Sequence, residues 1–180
     1  MKFTKPVAFL LTLGILAAPR LVAGEFSAVV AGVHDGDTLT VLNGERSLRI
    51  RLSGIDSPEM NQPFGDDARS FTAELALGTT VTVIEEKMDR YGRLVAWVVL
   101  ADGRNLNHEI VAAGFAWWYR PLSPGDRILR DLELDANQNG RGLWAAADPA
   151  PPWEWRKQPL HSTRSARRDT GRSGRARGSR

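Results

Sequence analysis

Between residues 27 and 103 the chain carries five short apolar runs, several of them alternating with polar residues and all bounded by glycine, aspartate or asparagine. SAVVAGV (27–33) and TLTVLNG (38–44) flank HDGD, and in LRIRLSGI (48–55) Leu48, Ile50 and Leu52 alternate with arginines. TTVTVIEE (79–86) and LVAWVVLADG (94–103) are joined by KMDRYGR. A period of two predicts strands with one buried face, and NGE and Tyr91-Gly92 predict tight turns. The period changes to that of a helix in DDARSFTAELALG (66–78), where Ala68, Phe71 and Leu75 share a face and Gly78 is the stop. NLNHEIVAAGFA (105–116) predicts a short helix ending near Gly114. SPGDRILRDLELDANQNG (123–140) predicts the last, with Ile128, Leu129, Leu132 and Leu134 on its apolar face. Five strands, a helix after the third and helices at the end predict an α+β fold: a five-stranded OB-type Greek-key β-barrel with about three helices. The pattern alone fits other α+β domains equally well.

The two ends of the chain follow different rules. MKFTKPVAFLLTLGILAAPRLVAG has a charged start at Lys2 and Lys5, an apolar stretch from Val7 to Ala18, and small residues before Gly24. That is the pattern of a secretory signal, and the apolar stretch is short for a membrane span. Residues 1–24 are therefore expected to direct export to the periplasm or the medium, with an uncleaved anchor as the alternative. The chain has no cysteine, so an exported domain must stand without disulfides. The domain is placed at 25–148. Residues 149–180 are expected to form a proline- and tryptophan-containing linker, its tryptophans able to pack back on the domain, followed by a disordered basic tail.

Charge sharpens this division. Residues 156–180 hold nine Lys or Arg and one acid, and residues 1–24 hold three Lys or Arg and no acid. The whole chain is +3, which leaves 25–155 at −8. An acidic domain with a basic tail is not a broad phosphate-seeking surface. An anionic substrate must be held by a few placed cations or by a metal, while the tail can touch nucleic acid or an anionic envelope.

Three stretches carry candidate chemistry. In HDGDT, Asp35 and Asp37 stand around Gly36, a spacing that serves a hairpin turn as well as a ligand site. It is not an EF-hand, because Thr40 and Arg46 fall where that loop needs glycine and glutamate. In RLSGIDSPE (51–59), Ser57-Pro58 forces an extended or turning backbone that exposes Asp56, the Ser57 carbonyl and Glu59 at the barrel rim. If Asp37 and Asp56 meet, two adjacent carboxylates are costly without a cation between them, and oxygen ligands suit calcium or magnesium. In DRYGRLVAW (89–97), Arg93 enters an apolar strand and needs a partner. That partner is a nearby acid such as Asp89 or Glu86, or an anion shared with Arg51, for which the planar guanidinium fork is suited.

Together DGDT (35–38), RLSGIDSPE (51–59) and DRYGR (89–93) resemble the staphylococcal nuclease-like, or thermonuclease, family, with weaker likeness through ADGRNLNHEIVAAGFAWWY and NGRGLW. The resemblance covers roughly Ser27 to Trp144. It implies one calcium ion held by Asp37, Asp56 and the Ser57 carbonyl, with Asp35 acting through water. It implies a catalytic trio of Arg51, Glu59 and Arg93. Arg90, Tyr91 and Tyr119 match positions that contact nucleotide phosphates, and Trp117 stands where a tyrosine is familiar. The link MNQPFGDD (60–67) is shorter than the mobile loop of the best-known member. The implied activity is hydrolysis of DNA and RNA to 3′-phosphate ends by a secreted monomer. A non-catalytic OB barrel that binds nucleic acid or protein is the alternative, and it would have no need of the intact set Asp37, Arg51, Asp56, Glu59 and Arg93. His34, His108 and His161 receive no role.

Overall fold

The computed structural model describes residues 24–157. The expected export signal and the basic tail from residue 158, with His161, lie outside the described residues. No helix among the described residues is long and apolar enough to cross a membrane.

The strands are β1 (Glu25–Asp35), β2 (Thr38–Asn43), β3 (Arg46–Leu52), β4 (Ile55–Asp56), β5 (Thr80–Met88), β6 (Leu94–Val99) and β7 (Trp117–Trp118). The helices are α1 (Gly65–Ala76), α2 (Leu106–Ala112), α3 (Arg127–Gln138) and α4 (Pro152–Trp155), with a 3-10 turn at Gly142–Ala145. Strands β1-β2-β3-β6-β5 close into a barrel, antiparallel throughout except where β3 runs parallel to β6. Closure leaves no exposed barrel edge. This is the five-stranded OB-type barrel expected from the strand pattern together with the motifs.

The period of two explains the core. Ala28, Val30, Leu39, Val41, Ile50, Leu52, Val81, Val83, Leu94, Ala96 and Val98 all point inward and are buried. Residues between them therefore lie on the outer side of the sheet. Arg51 pairs with Val95 across the β3–β6 junction, so both stand on that outer side. Arg93 stands directly before β6, in the turn that joins it to β5. Helix α1 packs on β1, and α2 packs on α3.

Two features have no counterpart in the predicted elements. Strand β4 pairs with β7, placing Asp56 opposite Trp117 and Ile55 opposite Trp118. Past the 3-10 turn, residues 149–157 run back along the barrel rim and form α4, with Pro152 buried.

Candidate active site

The turn between β1 and β2 is built to present one carboxylate. Asp35 Oδ1 accepts the Asp37 N–H at 3.0 Å and so tightens the turn. The Leu52 N–H donates to the Asp37 carbonyl at 2.9 Å, and Thr72 of α1 donates its hydroxyl to the Gly36 carbonyl at 2.8 Å. Gly36 is required by close approach, since a Cβ there would meet Ser57 Oγ at 2.6 Å and the Ala68 Cβ at 2.8 Å. Asp35 thus supports the turn through its side chain, and Asp37 turns inward beside Ser57.

A second device presents Asp56. After β3 the chain reverses at Ser53-Gly54, where Gly54 has φ 73°, a conformation other residues resist. Asn107 of α2 is fully buried and locks this reversal. Its Nδ2 donates to the Ser53 carbonyl at 2.9 Å, and its Oδ1 accepts the Val98 N–H at 3.1 Å. Strand β4 then carries Asp56 to the rim.

Arg51 joins the two carboxylates. Its Nε lies 3.2 Å from Asp37 Oδ1, and its Nη2 donates to Asp56 Oδ1 at 2.9 Å. Its Nη1 donates to the Leu52 carbonyl at 2.7 Å. A guanidinium carries five N–H groups, so two remain for a further acceptor. The Ser57 N–H donates to Asp37 Oδ2 at 2.7 Å. Asp37, Arg51, Asp56 and Ser57 are all buried, Arg51 the most exposed of them at 8%. Burial pushes the Asp37 carboxyl up to about 7 against the pull of Arg51, with Asp35 and Asp56 adding to the rise.

The other expected residues stand at differing distances from this cluster. Glu59 is reached through Arg156, whose Nη1 donates to Glu59 Oε1 at 2.5 Å and whose Nη2 donates to Asp56 Oδ2 at 2.7 Å. Arg93 takes the simpler of its two expected partners, its Nε donating to Asp89 Oδ2 at 2.8 Å. Burial opposes it, but hydrogen bonds from Arg93 and Tyr91 hold the Asp89 carboxyl below its ordinary range. Arg90 donates to the Tyr91 hydroxyl at 2.6 Å, and both arginines lie over the Tyr91 ring at the exposed hairpin tip. Tyr119 and Trp117 face the rim, each in contact with Trp153. His34 bonds Thr40 across β1 and β2, and His108 sits edge-on to Trp97.

Among the described residues, no group of three or more His, Asp or Glu side chains stands in metal-ligating geometry. The donors gathered at the rim are nevertheless all oxygen: two carboxylates beside Ser57, whose Oγ is buried without a hydrogen-bond partner. That set fits a hard divalent cation, which would also relieve the burial cost of Asp37. A groove of about 350 Å³ along α1, lined by Phe64, Phe71 and Phe115, shares no residue with the cluster.

Several residues that shape the site escape sequence reasoning. Thr72 and Asn107 sit inside helical patterns, where a single buried polar side chain gives no periodic signal. Arg156 reads as part of the tail by its charge. Its only distinguishing sign is its place directly after PPWEW (151–155).

The family model for staphylococcal nuclease homologues matches residues 49–146, more than half of the chain. The chain is 43% identical over 146 residues to an uncharacterized endonuclease of Escherichia coli O157:H7, covering 81% of this chain and 94% of that protein. It is 36% identical over 149 residues to a micrococcal nuclease of Shigella flexneri, covering 77% and 85%. It is 38% identical over 130 residues to an uncharacterized endonuclease of Haemophilus influenzae, covering 72% of each chain. Barrel architecture and sequence similarity agree, and the chain belongs to the staphylococcal nuclease homologue family.

Proposed function

We propose that this nuclease requires calcium and hydrolyses phosphodiester bonds of DNA and RNA, leaving 3′-phosphate ends. The observation that carries this is the single buried guanidinium of Arg51 bridging two carboxylates from separate strand ends. A binding module has no use for such a cluster, whose assembly costs desolvation at every member.

Asp37 and Asp56, with Ser57, would hold one calcium ion, and Asp35 would contribute through water. When bound, the ion supplies positive charge beside the phosphoryl oxygens. Arg51 offers its two remaining N–H groups to a phosphate oxygen. Arg93 supplies a second fork once it leaves Asp89. Charge develops on those oxygens during attack, so fixed donors there lower the barrier. Glu59 orients the attacking water and takes up its proton. A carboxylate is a weak base toward water, so orientation is the larger part of its role. Arg90, Tyr91, Tyr119 and Trp117 border the path of the substrate strand.

We further propose export directed by residues 1–24, a monomeric enzyme, and capture of nucleic acid by the basic residues after 157. The test is hydrolysis of single-stranded DNA and of RNA by the purified chain, with calcium and then with excess chelator. Calcium-supported cutting that stops on chelation and yields 3′-phosphate ends is expected. Cutting indifferent to the chelator would overturn the calcium assignment.

A further inference from the structure

The cluster contains a cation that neither the family motifs nor the chemistry above accounts for. Arg156 binds Asp56 with both arms of its guanidinium, Nη2 to Oδ2 at 2.7 Å and Nη1 to Oδ1 at 3.4 Å. The same Nη1 also holds Glu59 Oε1 at 2.5 Å. One side chain thus engages both the metal-side carboxylate and the carboxylate assigned to the water. Partial burial works against the charge of Arg156, but its hydrogen bonds to Asp56 and Glu59 outweigh it and hold the group above its ordinary range.

The side chain is held there by a folded segment. Gln62 donates Nε2 to the Ala150 carbonyl at 2.6 Å, and Trp155 donates Nε1 to Asn61 Oδ1 at 3.2 Å. The Trp153 ring lies 5.6 Å from Tyr119 and 6.4 Å from Trp117. Pro149, Pro151 and Pro152 restrict the approach to α4 and reduce the entropy lost in ordering it. The segment therefore spans the rim from the Glu59–Gln62 turn to the aromatic wall beside Asp56.

A divalent ion and this guanidinium compete for Asp56, because Arg51 already holds Oδ1 and Arg156 holds Oδ2, the oxygen left for the ion. Two cations drawn to one buried carboxylate also repel each other. We propose that residues 150–156 form a latch, in which Arg156 is an internal counter-ion that competes with the divalent cation for Asp56. While the latch is closed, Glu59 is also engaged and Tyr119 is covered by Trp153. Binding of the ion frees Arg156 from Asp56 and with it the carboxylate that handles water. This rests on the calcium reading above and adds a built-in off state to it.

The experiment is a calorimetric titration of calcium into the full chain and into Arg156→Gln and Arg156→Lys, without nucleic acid. Removing a charge-assisted, two-armed competitor should tighten calcium binding on the order of 10-fold or more in the Gln variant. The Lys variant keeps the charge but loses the fork, so it should fall between the two. Equal or weaker binding in Arg156→Gln, with the parent chain binding calcium normally, would overturn the latch alone. If Arg156→Gln fails to fold, the Lys variant decides: tighter binding supports competition and unchanged binding overturns it. Failure of the parent chain to bind calcium at all would overturn the calcium assignment and the latch with it.

Discussion

Arg51 holds the rim together by bridging Asp37 and Asp56. Removing it leaves Asp37 and Asp56 buried with their shared cation gone, a loss worth about 3–5 kcal/mol when a buried pair is broken. Arg51→Ala is therefore expected to melt well below the parent chain and to lose on the order of 10²-fold or more in turnover. Arg51→Lys should recover part of the stability but little of the turnover, because an ammonium lacks the fork. Thermal melts beside single-turnover cleavage separate the two effects. Asp37 gives a pH signature. Its carboxyl titrates near 7 in the fold against an ordinary 3.8. A raised value means that the protonated form stabilises the metal-free fold, a contribution complete below about 4 and lost as pH rises through about 7. Moving a titration midpoint by one pH unit corresponds to about 1.4 kcal/mol, so the loss is of the order of a few kcal/mol. Urea unfolding in chelator should show that decline between pH 4 and 7, and Asp37→Asn should flatten it. An unchanged decline in the variant would place the titration elsewhere. Among single residues, the sequence is most legible where a charge breaks an apolar pattern. Arg51 alternates with core residues, and Asp37 and Asp56 sit at strand ends next to Gly or Pro. Arg93 shows the limit, because residue type requires a partner without choosing between Asp89 and a shared anion. Arg156 is illegible because its partners lie about 100 positions earlier in the chain.

Among the secondary-structure elements, the helices serve as braces for loops. Thr72 donates from α1 to the Gly36 carbonyl, and Asn107 ties α2 to the reversal before Asp56. Thr72→Val keeps the shape but leaves that carbonyl buried without its donor, a cost of about 1–3 kcal/mol. The expected result is a lower melting temperature and weaker calcium-supported activity, since the turn that presents Asp37 loosens. Full activity at a lowered melting temperature would show that Thr72 supports the fold and not the turn's placement. The five barrel strands and α1 to α3 are readable because each is long enough for a period to repeat. Strands β4 and β7 have two residues apiece, which is too short for any period, and pairing Asp56 with Trp117 depends on how the whole barrel closes. Helix α4 has four residues and follows prolines, so composition points to a linker. Its docking depends on Trp153 finding Tyr119 and Trp117 across the rim.

For the molecule as a whole, charge is divided between a catalytic body and its ends. The segment 25–155 is −8, so attraction to a polyanion falls to the clustered arginines, a bound cation and the basic C-terminal residues. Residues 158–180 contain seven arginines and one acid. Deleting them should weaken capture of single-stranded DNA at low salt and flatten its salt dependence, with turnover at saturating substrate unchanged. Loss of turnover at saturation would give those residues a part in the chemistry. On the reading proposed above, activity depends on Asp37 and Asp56 gathering one divalent ion opposite Arg51. Calcium binding and DNA cleavage followed in the same titration, for the parent chain and for Asp37→Asn with Asp56→Asn, put this to the test. The expected result is one ion per chain, cleavage rising in step with occupancy, and neither binding nor cleavage in the double variant. Cleavage that persists in the double variant, or that is complete before any ion binds, would refute it.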